Sequence, residues 1–363
     1  MRMKKLFFII FLISFSSIFS QEKPKLLRDT IDNAVDLSYF LTKKHGVLPI
    51  VIPITEPAVG FGAIGGGLYF IPKKDTKQPS DIVALAGGIT TNGTWIVGGG
   101  YVGFWKEDRI RYRGVAGYGE ITMDYYGVGN RSINMSMDAF LFLQQANFRI
   151  GKSDFFLGIK YQLTKITIPL FDNNEIIDPI EFDLINSGVA LIAEYDNLNN
   201  FLSPTKGLRV HLSYDQNLEF LGSDRNWGKA IFFSHLYAPV NEKWIPALRL
   251  EASLVTGDTP FYAKPFVSLR GVPMLRYQGD LVILAETEQL YNITSRWGIL
   301  GFTGLGAAYK SIDNLKADEL VWNAGGGVRY LIAKTLGLKM GVDIARGPED
   351  WAFYIVVGTS WLK

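Results

Sequence analysis

The 363-residue chain has no cysteine, which excludes a disulfide framework and every thiolate metal or redox centre. Its only histidines, His45, His211 and His235, are too scattered for a metal trio. Charged residues are few, at 20%, while Gly numbers 38, Phe 24 and Tyr 17, a composition unlike that of a disordered chain. Beyond the first 20 residues no apolar run is long enough for a transmembrane helix, because Gly, Asn, Asp or Arg interrupts each within about ten residues. Net basicity is also lacking. The formal charge of +2 depends on Arg2, Lys4 and Lys5, and without the first 20 residues 34 basic groups face 35 acidic ones. That removes the electrostatic argument for a nucleic-acid partner.

The first 20 residues read as a signal peptide. Arg2, Lys4 and Lys5 form a basic start, Leu6 to Ile13 an apolar core, and Ser16, Ser17 and Ser20 a small-residue cleavage zone before Gln21. The core is short for the alternative, a signal anchor. Residues 21–46 then form a lead-in. Within it, Lys25 to Thr42 places Leu27, Ile31, Ala34, Val35 and Leu41 broadly on one side of a helix. Such a helix would plug a lumen or lie at its periplasmic rim; a disordered lead-in is the other reading.

From residue 47 to 363 the chain alternates with a period of two. Leu208, Val210, Leu212 and Tyr214 oppose Arg209, His211, Ser213 and Asp215; Leu248, Leu250 and Leu254 oppose Arg249, Glu251 and Ser253. Leu338, Met340, Val342 and Ile344 oppose Lys339, Gly341, Asp343 and Ala345. A soluble sandwich also alternates. These segments, however, run about ten to fifteen residues and carry several charges on the polar face, which suits tilted membrane strands around a wet lumen. Backbone amides cannot stay unpaired in lipid, so such strands must close into a ring.

The fold class expected is therefore all-β: a closed antiparallel transmembrane β-barrel with a short N-terminal helix, in the outer membrane of a Gram-negative-type bacterium. Tight connections near 106–108, 151–154 and 241–243 alternate with longer ones at 122–132, 169–181 and 257–279. Fifteen strands can be placed, the last at 351–362, and a short first strand in Val47 to Thr55 brings the count to sixteen, with fourteen as the alternative. Prolines 49, 53 and 57 make that first strand a poor hydrogen-bonding partner.

Two GxGxxG matches, Gly60-Gly62-Gly65 and Gly98-Gly100-Gly103, lie in strand-like stretches with no following helix and do not read as nucleotide loops. His211 beside Ser213 lacks a nucleophile motif. No enzyme, metal or cofactor is expected.

Several motifs together resemble the bacterial surface antigen family, the barrels of BamA-, TamA- and FhaC-type translocators. Ser268-Leu269-Arg270-Gly271 resembles the family's [VL]RG[FY] loop motif, with Val272 in the aromatic position. Ala285-Glu286-Thr287-Glu288 follows where the family carries an inward Glu on the next strand. The stretch from Gly301, with Phe302, Gly304 and Gly306, resembles the FxDxG strand, but Gly304 replaces its Asp. Asp196 with Ser203-Pro204-Thr205-Lys206-Gly207 resembles the family's aspartate and P-T-x-G periplasmic turn, and Tyr125 to Asn130 resembles a loop of its short members. Trp361 stands where outer-membrane proteins end on an aromatic residue read by the assembly machinery, although Leu362 and Lys363 follow it. An interfacial aromatic girdle is the plainer role.

A loop of about 23 residues would ordinarily be mobile. Folded inward, it would set the Arg270 guanidinium against lumenal carboxylates as a charge-assisted clamp. Alternation puts Glu286 and Glu288 on one strand face and Asp343 on a later polar face. The resemblance implies that Glu288 and the FxDxG aspartate hold the Arg. With Gly304 in that position, the lock is either looser or completed by Glu286 or Asp343; a solvated Arg270 is the bland alternative.

Function follows only by resemblance: a weak first-to-last strand seam that assists protein insertion or translocation. The partners implied are outer-membrane lipid, the barrel-assembly machinery and a client outer-membrane or secreted protein. Residues 21–46 are too few for a periplasmic binding module. A passive channel or structural barrel is the alternative.

Overall fold

The computed structural model describes residues 27–43, 47–54, 60–73, 79–128, 131–170, 180–311 and 314–361. The expected signal peptide at 1–20 lies outside these residues. Among them, one antiparallel sheet of sixteen strands runs in simple sequence order. The strands are β1 (Val47–Ile54), β2 (Gly62–Ile71), β3 (Asp81–Thr90), β4 (Trp95–Trp105), β5 (Ile110–Val128), β6 (Arg131–Arg149), β7 (Phe155–Leu170) and β8 (Ile180–Asp196). They continue as β9 (Gly207–Asn217), β10 (Trp227–Tyr237), β11 (Trp244–Gly257), β12 (Leu281–Asn292), β13 (Trp297–Ser311), β14 (Asn314–Ala333), β15 (Leu338–Arg346) and β16 (Trp351–Val357). No described helix is long and apolar enough to cross a membrane.

The period of two becomes a two-faced wall. On β8, Leu191 is 73% exposed on the convex face while Glu194, three residues on, is 2% exposed on the concave face. Leu157 and Ile159 of β7, Leu212 and Tyr214 of β9 and Ile299 and Leu305 of β13 are likewise exposed, whereas Asn147, His211, Ser213, Arg249 and Asp343 are buried. A continuous apolar convex surface of this kind suits acyl chains.

The sheet curls until its two edges approach. β1 and β16 come into contact, and Ile50 of β1 and Val357 of β16 pack against one apolar cluster of Leu41, Leu48, Phe70, Ile82, Ala333 and Leu338. Fifteen antiparallel pairings join β1 through β16 in sequence. Among the described residues none joins β16 back to β1. Among these residues the sheet is therefore open between β16 and β1, and that junction is its seam.

Three expectations are corrected. The connection placed at 122–132 belongs largely to strands, because β5 and β6 stay paired as far as Val128↔Arg131; of the one placed at 169–181, residues 171–179 lie outside the described residues. Within the Tyr125–Asn130 motif, Gly129 and Asn130 lie outside the described residues. Among the described residues of the expected N-terminal helix, 27–37 are not helical and only α1 (Ser38–Lys43) is. Ahead of it, Asp29 accepts from Ile31 N and Asp32 from Ala34 N, at 2.8 and 3.0 Å, and Asn33 adopts φ 53°. Short acidic side chains here compete for the amides that a helix needs. Finally, β16 stops at Val357 because Gly358 turns the chain at φ 87°.

Leu191→Arg should test the convex face. A cation facing mid-bilayer costs about 2–4 kcal/mol, read as a lower urea midpoint in vesicles; an unchanged midpoint would show that this face does not meet lipid.

Candidate functional site: the Arg270 cluster on the concave face

The connection at 258–280 folds over the concave face. Val267, Leu269 and Val272 are buried in a cluster with Val282 and Leu284 of β12, Ala308 of β13 and Val321 of β14. The approach is close because β13 offers glycines beneath it. A Cβ on Gly306 would stand 2.6 Å from Val267 Cγ1, and one on Gly304 3.0 Å from Leu269 Cδ2. Gly271 takes φ 81°, a conformation that disfavours L side chains, and its N–H donates to Tyr354 Oη at 2.8 Å.

Between these anchors Arg270, 8% exposed, reaches three carboxylates. Its Nε donates to Glu286 Oε1 at 3.1 Å and its Nη1 to Asp343 Oδ2 at 2.8 Å, with Glu288 Oε2 3.2 Å from Nη1. The guanidinium also lies 3.4 Å from the Phe302 ring centroid, so the ring backs the cation as the carboxylates fix its plane. Thus Leu269, Arg270, Gly271, Glu286, Glu288, Asp343, Phe302, Gly304 and Gly306 meet in one place.

The slot left by Gly304 is filled from the neighbouring strand. Strand register sets Arg249, Glu286, Gly304 and Asn323 directly opposite one another across β11 to β14. Asn323 Nδ2 donates to Glu286 Oε1 at 2.9 Å and to the Arg270 carbonyl at 3.0 Å. A Cβ on Gly304 would stand 2.8 Å from Asn323 Oδ1, so the Asn323 amide fills the space that a side chain at 304 would need. Arg270 gains its further charge partner in Asp343, two strands beyond Gly304.

Arg249, Arg329, Asn323 and Ser360 had not been singled out in the sequence. Arg249 Nη1 donates to Glu286 Oε2 at 3.3 Å and its Nη2 to the Ser268 carbonyl at 3.1 Å, while Arg329 Nη2 donates to Asp343 Oδ2 at 2.9 Å. Ser360 Oγ accepts from Arg270 Nη1 at 3.1 Å. Alternation had already put Arg249 on a polar face; nothing local signals the other three. Counting Glu251, which accepts from Arg249 Nε, three guanidiniums face four carboxylates.

Trp361 does not sit in an outer aromatic girdle. After Gly358 the chain end turns into the concave space, where Trp361 is 3% exposed and packs near the His235 and Tyr237 rings. Its Nε1 donates to Glu286 Oε2 at 2.5 Å. The long connection and the chain terminus enter from opposite ends of the sheet and converge on Glu286.

Asp196 and Gly207 belong elsewhere. Asp196 pairs with Arg111 and caps Leu198 N at 3.0 Å, and Gly207 turns the chain at φ 114°. Pro204 lies nearer the cluster, lining a small cavity with Glu288, Arg329 and Lys339. His211 Nδ1 lies 3.0 Å from Glu194 Oε2, which makes it part of a charge network with Arg209.

The Omp85 superfamily domain matches residues 104–271. Over that stretch, a little under half of its length, the chain is similar to Omp85-type proteins. The fold agrees: a Haemophilus ducreyi BamA lacking POTRA domains 1–3 superposes with TM-score 0.59 at 13% identity, over 86% of this chain and 70% of that one. CdiB from Escherichia coli gives 0.58 at 11% identity, over 85% of this chain and 61% of CdiB. CdiB from Acinetobacter baumannii gives 0.57 at 11%, over 86% and 59%. This chain thus spans about three fifths of each CdiB chain. No curated protein matches.

Arg270→Ala would leave Glu286 and Asp343 buried with a cation removed, a change that costs about 3–5 kcal/mol. The temperature at which the folded species converts to the unfolded one on a semi-native gel should fall, and Arg270→Lys should recover part of it, lacking the planar fork. Equal conversion temperatures in all three proteins would contradict the clamp.

Proposed function

We propose that this Omp85-type chain is a closed outer-membrane barrel that assists insertion or translocation of a client protein through a lateral opening between β1 and β16. The observation that carries this reading is the seam: two edge strands that approach and pack apolar side chains on one shared cluster, with no described ladder between them. Both edges are poor partners. Pro49 and Pro53 remove two donors from β1, and β16 is only seven residues long. A client strand could pair with such an edge by β-augmentation.

The Arg270 cluster would brace the wall while the seam opens, since it ties the inward loop to β12, β15 and the chain terminus. Lipid is the partner of the convex face, and assembly machinery the route of the chain's own insertion. No catalytic step is assigned to any residue.

A second reading, a passive channel, draws on the polar concave face, where a cavity of about 310 Å³ is lined by Arg113, Lys160, Arg209 and Glu251 among others. A disulfide between Ile50→Cys and Val357→Cys separates the two. In vesicles, the reduced protein should accelerate folding of a urea-unfolded outer-membrane barrel and the oxidised protein should not. Large, steady conductance with no acceleration in either state would establish the channel instead.

A further inference from the structure

Arg296, in the turn between β12 and β13, is 7% exposed although it lies outside the strands. Three carboxylates from the far N-terminal segment surround it. Its Nη2 donates to Asp29 Oδ2 at 2.6 Å, its Nε to Asp32 Oδ2 at 2.7 Å and its Nη1 to Asp36 Oδ2 at 2.5 Å. The same segment is stitched to the next turn along the rim. Leu37 N donates to the Ile332 carbonyl at 2.7 Å, Tyr330 Oη to the Val35 carbonyl at 2.8 Å, Thr335 N to Ser38 Oγ at 2.9 Å and Lys334 N to Asp36 Oδ2 at 3.3 Å. Leu41 of α1 is then wholly buried among Leu48, Phe70 and Ile82 on one side and Ala333 and Leu338 on the other. The segment therefore starts at the β12–β13 turn, passes the β14–β15 turn and delivers the chain into β1 at Val47. Its path crosses the rim end of the seam.

We propose that residues 27–43 are a latch over the β1–β16 seam, with Arg296 as its catch. The proposal rests on the seam of the preceding reading, and not on any insertion activity. Where the strands share no described ladder, the latch supplies the tie: ion pairs to the β13 side, main-chain hydrogen bonds to β14 and apolar contacts into β1. Opening the seam at this end requires Leu41 to leave its cluster or the three aspartates to leave Arg296.

The electrostatics fit a catch that holds while closed. Burial alone would push the Asp36 carboxyl up, but the Ser38 and Arg296 hydrogen bonds outweigh it and hold the group below its ordinary value. Arg296 lies above its ordinary value, chiefly through its bond to Asp32. Each partner keeps the other charged.

The chain's lack of cysteine makes the test clean. The full-length protein carrying Ile50→Cys and Val357→Cys is reconstituted in vesicles and its disulfide formation rate is followed with and without Arg296→Gln. Ser234→Cys with Leu250→Cys, opposite each other in the β10–β11 ladder, reports on global loosening. Arg296→Gln should slow seam crosslinking roughly tenfold, the equivalent of about 1.4 kcal/mol, and leave the internal pair unchanged. If that variant does not insert, Asp29→Asn with Asp36→Asn is the deciding protein. Unchanged seam crosslinking in the variant overturns the latch while leaving the seam intact. Absence of crosslinking in the parent overturns both, and equal slowing of the two cysteine pairs shows general destabilisation and overturns the latch.

Discussion

A guanidinium taken out of water must be answered by carboxylates and hydrogen bonds or the fold does not tolerate it. At Arg270 that demand organises the concave face. It draws Glu286, Glu288 and Asp343 from two strands, and with them come Arg249, Arg329 and Asn323, whose own polar groups then need partners. The long connection cannot leave the interior without stranding these charges. Charge balance inside and apolar contact outside are therefore two halves of one constraint. A wall that presents leucine and isoleucine outward has nowhere but its concave face to put its ions.

Strand alternation was legible because it is local. β9, β11 and β15 coincide with alternating segments, and the concave positions of Arg249, His211 and Asp343 follow from the period alone. The ends were harder. Gly127 and Gly129 near Asn130 resemble a loop, yet Gly127 continues β5. The aspartates at 29 and 32 sit at helical spacing but spend their side chains on nearby amides. At Gly358 the turn inward depends on what the terminus meets: a Cβ there would stand 2.4 Å from the Leu202 carbonyl oxygen, a contact across the fold that no window of sequence contains.

The Arg270 site shows the same division. Its loop, the Glu286 and Glu288 strand and the place of Asp343 could be read from motif and period. The arrival of the Asn323 amide could not, because it reaches the Gly304 slot only through the register of β13 against β14. The Arg296 catch joins residues some 260 positions apart, so neither partner carries a local signal. Long-range ion pairs are set by topology and emerge only once strand order is known.

The central claim is that Arg270 and Asp343 are energetically joined across the interior, which a double-mutant cycle in lipid measures directly. Unfolding free energies of the parent, Arg270→Ala, Asp343→Ala and the double variant should give a coupling above about 1 kcal/mol, within the range for contacting charged groups. Strict additivity would mean that the loop's position does not depend on this pair, and would contradict the account.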